Sequence, residues 1–440
     1  MIGAAAAAAV ALAVAAPPQV DVSAQPGSQA ETAVAVAPAD PHVLLAASNQ
    51  LGSGGFDTLT YGSTDGGATW TTSRPFSGGG SDCAIGDPVP AIDNTGRQLI
   101  AYLVVPCGDP DPERDISLYV SARDGPDGPW TPVRVADPAG GPNDKPALAV
   151  DTSAAGPHSG RAYLAWNKIS RRRLNLVVSH SDDGGATWSE PAPLSPADGS
   201  GSAAFFVSLS VAPDGDLYAA WEDVLRRVFV ARSTDGGASF GPLESVGAAA
   251  GLPTGGCRLD GTTIPAQSSR CVTVNPNVVA GAEIVTVVYA ASGVRGRQLD
   301  VRARSFSRDL QPLGPYVRIH PADGKIVSDQ FQPVAAVDPR TGVVWACYYD
   351  TRGDRTRRSA RFTCTASRDG GRTWAAPIAV ASVRSDETRT PATRFQFGDY
   401  QGVAVGSDGV AHPVWTDSRD LRSRGEEIYT TSLSAAVFGY

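Results

Sequence analysis

The chain has 440 residues, of which 42% are hydrophobic, 19% charged and 7% aromatic, and its formal net charge is −8. This length is ample for a buried core, and the low share of charged residues argues against a disordered chain. The acidic balance argues against a nucleic acid or an anionic membrane as partner, because both need a basic face. The 48 glycines and 34 prolines indicate many short strands joined by turns.

The first segment predicts secretion. An apolar run from Ile2 to Ala16 precedes two prolines, and no Lys or Arg stands before it. Its length suits the apolar part of a signal peptide and is short for a membrane span. We expect residues 1–18 to be a signal peptide and residues 19–440 to form one extracellular domain without membrane insertion. A low-complexity alanine tract is the alternative.

Four octets follow along the chain: STDGGATW at 63–70, SDDGGATW at 181–188, STDGGASF at 233–240 and SRDGGRTW at 367–374. Adjacent glycines permit positive φ in a tight hairpin, an Asp can accept hydrogen bonds from the turn, and the last ring can pack beneath it. We interpret the octet residues as structural: Asp65, Asp183, Asp235, Asp369, Trp70, Trp188, Phe240 and Trp374. Each octet resembles the Asp box, or BNR repeat, of the sialidase superfamily.

A second pattern precedes the octets, namely an alternating apolar strand, a turn and a strand that ends in an aromatic or polar cluster. Clear copies are 146–168, 207–223, 333–352 and 403–419, and weaker copies begin at 32, 88 and 275. Seven units of four short antiparallel strands predict an all-β fold, the β-propeller. Sialidases have six blades, so six is the alternative to the seven that we favour. Blade seven lacks an outer strand, which residues 19–25 could supply and so close the ring.

The six cysteines form three neighbouring pairs in sequence: Cys83 and Cys107, Cys257 and Cys271, Cys347 and Cys364. An even number in a secreted chain predicts disulfides, and we favour sequential pairing among the 15 connectivities. No CxxC occurs and histidines are few, so a zinc site is poorly supported. We predict no cofactor. A structural Ca²⁺ site is an alternative, because an acidic mouth offers oxygen ligands, although no ligand spacing in the sequence requires such a site.

In a propeller of this kind, first strands begin and second strands end on one face, and the octet turns lie on the other. Polar residues at these places would therefore ring one mouth of the channel. First strands contribute Asp87, Asp144, Lys145, Gln330, Gln332, Asp399, Tyr400 and Gln401, and second strands contribute Asn167, Lys168, Glu222, Asp223, Asp350, Arg352, Asp417 and Arg419. Crowded carboxylates beside cations separate the pKa values of an acid and a nucleophile, as glycoside hydrolysis requires.

The resemblance to sialidases implies an arginine triad for a substrate carboxylate, a Tyr nucleophile with a Glu partner, and an Asp acid. By position, Arg352 and Arg419 are two triad candidates, with Arg74 or Arg394 as the third. The nucleophile would be Tyr400 or Tyr349, its partner Glu222, and the acid Asp87 or Asp144, with Asp399 a further catalytic candidate. Asp350, Asp417 and Lys145 join the arginines as candidate substrate-binding residues. No F/Y-R-I-P motif is found near the N-terminus, where sialidases place their first triad arginine.

Two functions stay open. The first is a secreted exo-α-sialidase or related glycosidase acting on a glycan, and the second is a non-catalytic propeller that binds carbohydrate or protein. Repeated Asp/Arg units such as YYDTR and WTDSR are also typical of scaffold residues, because a catalytic residue should occur once. FGDYQG at 397–402 has no counterpart in other blades, which favours Asp399 and Tyr400 as functional. We expect a monomer.

Overall fold

The computed structural model describes residues 17–52, 55–76, 81–108, 114–154, 156–170, 173–194, 204–248, 257, 261–293, 296, 298–322, 327–389, 395–419 and 425–440. The predicted signal peptide, apart from residues 17 and 18, and Arg394 lie outside these ranges. No helix among the described residues is both long and apolar enough to span a membrane.

The chain forms seven four-stranded antiparallel blades. Blade 1 contains β2 (Ser28–Val36), β3 (Leu44–Gly52), β4 (Gly55–Ser63) and β5 (Thr71–Ser73), and blade 2 contains β6 (Asp82–Ile92), β7 (Arg97–Pro106), β8 (Ser117–Asp124) and β9 (Thr131–Ala136). Blade 3 contains β10 (Asn143–Val150), β11 (Ala162–Ser170), β12 (Arg173–Ser181) and β13 (Ala192–Pro193). Blade 4 contains β14 (Ala204–Val211), β15 (Leu217–Asp223), β16 (Arg227–Ser233) and β17 (Glu244–Ala248).

A separate two-stranded hairpin, β18 (Thr262–Ile264) and β19 (Gln267–Val272), is inserted before blade 5. Blade 5 contains β20 (Asn277–Ala280), β21 (Ile284–Ser292), β22 (Leu299–Ser307) and β23 (Val317–Arg318). Blade 6 contains β24 (Gln330–Val337), β25 (Val344–Asp350), β26 (Arg361–Ser367) and β27 (Ile378–Ala379). Short 3-10 turns occupy Glu387–Arg389 and Ala435–Phe438.

Blade 7 is completed from the other end of the chain. It contains β28 (Gly402–Val405), β29 (Val410–Asp417) and β30 (Glu427–Thr430), and β31 (Leu433–Ser434) also pairs with β29. Its outer strand is β1 (Val20–Asp21), which pairs with β30. Both the seven-bladed propeller and its closure by an N-terminal strand are thus confirmed, and the six-bladed alternative is wrong.

The octets form the turns between the third and fourth strands of blades 1, 3, 4 and 6. In the first, Ser63 Oγ donates to Asp65 Oδ1 at 2.8 Å, while the N–H and the hydroxyl of Thr69 donate to the same carboxylate at 2.9 and 2.6 Å. Gly66 and Gly67 have φ of 71° and 88°, a region that favours glycine. Hydrogen bonds from Thr69 lower the pKa of Asp65 to about 2. The carboxylate therefore stabilises the turn.

Three disulfides join Cys83 to Cys107, Cys257 to Cys271 and Cys347 to Cys364, which is the sequential pairing that the sequence predicts. Cys347 and Cys364 lie directly opposite each other on β25 and β26. The blades pack through buried second strands, whose tryptophans are almost fully buried: Trp166, Trp221, Trp345 and Trp415.

A repeated irregularity of the backbone lies near the beginning of the first strand in most blades. The ladder between the first and second strands slips at Glu31, Asp87 and Lys145, where φ is 58°, 53° and 49°. Left-handed backbone is costly for residues other than glycine and typically marks a bulge or a functional position. Corresponding left-handed residues in other blades are Phe206, Asn275 and Gln332, and Tyr400 occupies the place in blade 7.

Candidate functional site

The bulge residues of blades 1, 2, 3 and 7 meet in one ion-pair cluster at the mouth. Lys145 Nζ lies 2.7 Å from Asp399 Oδ2 and 3.2 Å from Asp87 Oδ2. Arg270 clamps Asp399 from another side, with Nε donating to Oδ1 and Nη2 to Oδ2, both at 2.5 Å. The same Nη2 donates to Glu31 Oε1 at 2.6 Å. Two cations thus join three carboxyl groups from blades 1, 2 and 7.

Two further contacts tie the carboxyl groups to their surroundings. The Asn49 side chain bridges two bulges, because its Nδ2 donates to Glu31 Oε2 and its Oδ1 accepts from the Asp87 N–H. The carboxyl group of Asp87 lies close enough to Asp144 to raise the pKa of Asp144, and Tyr400 Oη donates to Asp87 Oδ1 at 3.2 Å. Asp87 and Asp144 are therefore neighbouring carboxyl groups in the cluster.

Burial and neighbouring charges give the carboxyl groups of the cluster different pKa values. Burial raises the pKa of Glu31 to about 8, although Arg270 and Lys145 act in the opposite direction. Burial also raises the pKa of Asp144 to about 7, against the effect of Lys145 and with the help of Asp87. At Asp399 burial also disfavours the charge, but Lys145 and Arg270 hold the pKa well below its ordinary value. One carboxylate is therefore ionised at neutral pH beside carboxyl groups that retain protons.

Lys145 and Tyr400 also keep their protons. Burial alone would lower the pKa of Lys145, yet Asp399 and Asp87 hold it well above its ordinary range. Burial and the nearby Asp87 raise the pKa of Tyr400 well above its ordinary range. The ammonium group is thus a fixed positive charge, and the phenol acts as a hydrogen-bond donor.

Arg270 comes from the inserted hairpin and not from a blade. The hairpin is tied down by the Cys257–Cys271 disulfide and reaches blade 7, where Gln267 Nε2 donates to Gly398 O at 3.0 Å. The Ser269 N–H donates to Gln396 Oε1 at 2.9 Å. The guanidinium is thus held in place by the rest of the hairpin before any ligand binds, as preorganised electrostatic groups are in active sites.

Aromatic side chains flank the cluster on two sides. The Lys145 ammonium lies between Phe206 and Tyr400, 5.3 and 5.7 Å from the ring centroids. On the other side, Arg270 stacks on Phe395 at 4.3 Å. Charged groups bordered by aromatic rings are typical of small-molecule sites.

Comparisons with known proteins bear on the fold of this chain. No protein-family model matches the sequence, and no curated protein matches it. Among solved structures, the Hadza microbial sialidase Hz136 is similar, with a TM-score of 0.50 and 13% identity over 93% of this chain and 66% of that chain. This chain has a sialidase-like propeller fold.

Two other solved structures are similar to this sialidase-like propeller at lower scores. A Dyadobacter fermentans protein of unknown function has a TM-score of 0.48 and 18% identity, over 77% of this chain and 94% of that chain. A Penicillium chrysogenum alpha-L-arabinanase complexed with arabinobiose has a TM-score of 0.49 and 13% identity, over 97% of this chain and 99% of that chain.

The sialidase-like propeller brings together one part of the predicted site. Asp87, Asp144, Lys145, Asp399 and Tyr400 all lie in the cluster. They share the beginnings of first strands, where the bulges direct side chains inward.

The Asp/Arg units at the ends of second strands contact their own blades and neighbouring segments. Arg419 donates to Asp417 through Nε and Nη2, at 3.0 and 2.7 Å, and also contacts Gln19 beside the closing strand. Asp417 in turn accepts from Trp415 Nε1. These contacts hold Arg419 and Asp417 between blade 7 and the segment before the closing strand.

The corresponding Asp/Arg unit in blade 6, Asp350 and Arg352, also contacts neighbouring segments. Asp350 accepts from Gln330 Nε2 at 2.8 Å and from the Arg352 N–H at 2.7 Å. Arg352 Nη2 donates to Pro321 O, beyond the outer strand of blade 5. These contacts hold the Arg352 side chain against the segment that follows blade 5.

Three further candidate residues, Glu222, Tyr349 and Arg74, contact other parts of the molecule. Glu222 is buried on β15 opposite Phe205. Tyr349 packs among aromatic rings of the core and donates to Thr416 O at 2.7 Å. Arg74, directly after β5, pairs with Asp57 at 2.7 Å, and its side chain is 60% exposed.

Sequence reasoning missed Glu31 and Arg270. The strand pattern predicts a start at Thr32, which leaves out Glu31, whereas β2 begins at Ser28. A signal was available, because each bulge residue stands six positions before the residue that directly follows the first strand, such as Ala37, Asp93 and Asp151. Arg270 carries no comparable signal, since it lies in an insertion.

Metal binding finds little support in the cluster. Among the described residues, no group of three or more His, Cys, Asp and Glu side chains is arranged to hold a metal ion. Lys145 and Arg270 instead occupy the positions from which a cation would contact Asp399.

Proposed function

We propose that the protein is a secreted glycoside hydrolase that acts on a glycan at this mouth of the propeller. The observation that carries the proposal is the contrast between two carboxyl groups of the cluster, because Lys145 and Arg270 keep Asp399 ionised whereas burial lets Asp144 retain a proton near neutral pH. Glycosidases need one carboxyl group as acid and another as carboxylate, and their environments must hold the two pKa values apart.

The spacing of the carboxyl groups supports a retaining reaction. Asp87 and Asp399 contact the same Lys145 nitrogen, at 3.2 and 2.7 Å. Their contacting oxygens are therefore at most about 6 Å apart, which fits the separation of about 5–5.5 Å in retaining enzymes and lies below that of inverting ones.

The roles follow from this arrangement. The neighbouring carboxyl groups of Asp87 and Asp144 pass the proton that Asp144 holds to the glycosidic oxygen as that bond breaks, and an Asp399 oxygen forms a bond to the anomeric carbon. A water molecule then attacks the same carbon, gives its proton back to the pair and releases Asp399. Lys145 and Arg270 keep Asp399 ionised, and Tyr400 orients Asp87.

Exo-α-sialidase activity is the narrower form of the proposal. A sialic acid carries a carboxylate, which guanidinium groups bind best because they offer two parallel donors. Arg270 and Lys145 are the cations of the cluster that could bind it, and both already contact Asp399. A neutral glycan therefore suits the cluster at least as well as a sialoside.

The test is hydrolysis of a panel of fluorogenic glycosides that includes an α-sialoside, assayed between pH 4 and 8 with wild type, Asp144→Asn and Asp399→Asn. Loss of a general acid typically costs a hundredfold or more. Asp329→Asn is the matched control, because Asp329 also accepts two hydrogen bonds from one arginine, Arg357, and is buried. We expect the control to retain its rate. Equal turnover by wild type and Asp399→Asn, or none by either, contradicts the proposal.

One observation favours a non-catalytic carbohydrate-binding propeller as the second candidate. Both oxygens of Asp399 accept hydrogen bonds from cations, Lys145 and Arg270, and structural ion-pair networks also shift pKa values. This candidate predicts that the wild-type protein binds saccharides, and that neither it nor the variants hydrolyse any glycoside of the panel.

A further inference from the structure

Phe56 stands out on the surface beside the cluster. It lies at the start of β4, in blade 1, and 49% of it is exposed. An exposed ring taken alone needs no explanation. Phe56, however, packs edge-on against Phe395 with ring centroids 5.3 Å apart, so it belongs to a larger aromatic surface.

A short series of contacts links this surface to the cluster. Phe395 supports the Arg270 guanidinium at 4.3 Å, and Arg270 holds Asp399 at 2.5 Å. Phe56 is therefore two side chains away from the ionised carboxylate.

We infer that Phe56 and Phe395 form a subsite for the sugar ring that adjoins the scissile residue. This inference rests on the proposed function and deepens it. The ligand would be a pyranose that presents a face of C–H groups, as galactose- and glucose-type rings do. Such a face packs on an aromatic ring through dispersion and burial of apolar area, while its hydroxyls stay in water. The substrate class is accordingly a glycan with a sugar as leaving group.

The experiment compares two donors with the same scissile sugar. One is a disaccharide whose leaving group is galactose or glucose, and the other is the glycosyl fluoride, which has no leaving-group ring. Phe56→Ala should lower kcat/KM about tenfold for the disaccharide, the size of one aromatic contact, and leave the fluoride unchanged. Phe56→Trp should restore the disaccharide rate.

Tyr316→Ala is the matched control. Tyr316 is exposed to the same 49% and supports Arg302 at 4.6 Å, but it lies beside the outer strand of blade 5. It should leave both donors unaffected. If Phe56→Ala slows both donors equally or neither of them, the subsite is refuted.

A binding measurement separates this inference from the proposed function. Ligand-observed NMR with lactose or cellobiose detects the subsite without any turnover. If wild type binds the disaccharide, Phe56→Ala does not and no donor is hydrolysed, then the subsite stands and the hydrolase proposal fails. If the donors are hydrolysed and Phe56→Ala binds the disaccharide as wild type does, the subsite fails alone.

Discussion

The contribution of Arg270 to stability can be worked out from its contacts. Its side chain is 22% exposed, and its partners Asp399 and Glu31 are 9% and 1% exposed. Removing one partner of a buried ion pair typically costs about 3–5 kcal/mol, since the other charge stays buried. Lys145 remains 2.7 Å from Asp399 and offsets part of this loss. We therefore expect Arg270→Gln to lower the free energy of unfolding by about 3 kcal/mol at pH 7.

Urea denaturation of the oxidised protein at pH 7 measures this loss. Arg74→Gln is the control, because Arg74 forms an exposed ion pair with Asp57, and exposed pairs contribute about 0–1 kcal/mol. Combining Arg270→Gln with Asp399→Asn removes both charges. The double variant should lose about 2 kcal/mol less than the two single variants together.

Two results would refute the reasoning. A cost of Arg270→Gln no larger than that of Arg74→Gln means that the guanidinium is effectively solvated. Additive losses in the double variant mean that Arg270 and Asp399 do not interact.

Three further predictions concern other parts of the molecule. The pKa of Glu31 rises from 4.5 to about 8 on folding, so the folded state binds more protons and stability should fall as pH rises through this window; Glu31→Gln should flatten that fall in urea titrations from pH 4 to 9, and an unchanged slope contradicts the assignment. Asp183→Ala should lower the free energy of unfolding by about 1–2 kcal/mol through its lost hydrogen bonds with Ser181 and Thr187, whereas the change at the adjacent exposed Asp182, Asp182→Ala, should lower it by less than about 1 kcal/mol. Thermal unfolding measures both losses, and the reverse order would contradict the structural role of Asp183. Removal of residues 17–25 should leave β30 as an open sheet edge and promote oligomers in size-exclusion chromatography, and a monomer as stable as the parent would be evidence against closure by β1.

The fold was predictable because it repeats. The octets specify their turns locally, through glycines such as Gly66 and the hydrogen bonds of Asp65, so the sequence alone locates one end of four blades. The alternating first and second strands supply the rest of each unit. The unpaired end of blade 7 and the strand-like segment at 19–25 then predict the closure.

The site was only partly predictable, for two physical reasons. Asp399 and Tyr400 were found because scaffold residues recur whereas their motif does not. The same reasoning explains why Asp417 and Arg419, which recur in form, turn out to contact each other. Arg270, by contrast, reaches the cluster only through the tertiary path of an inserted hairpin, to which neither blade periodicity nor local spacing gives access.

The two-residue pairing of Val20 with Thr430 and of Asp21 with Tyr429 has a consequence for how the molecule assembles. Because β1 precedes all seven blades in the chain, it must wait, without its partner, until the final blade has left the ribosome. Loop closure over such a distance slows folding, so this seam should form last and open first. A circular permutant with its new termini at another blade junction would make that pairing local, and should complete its torus sooner.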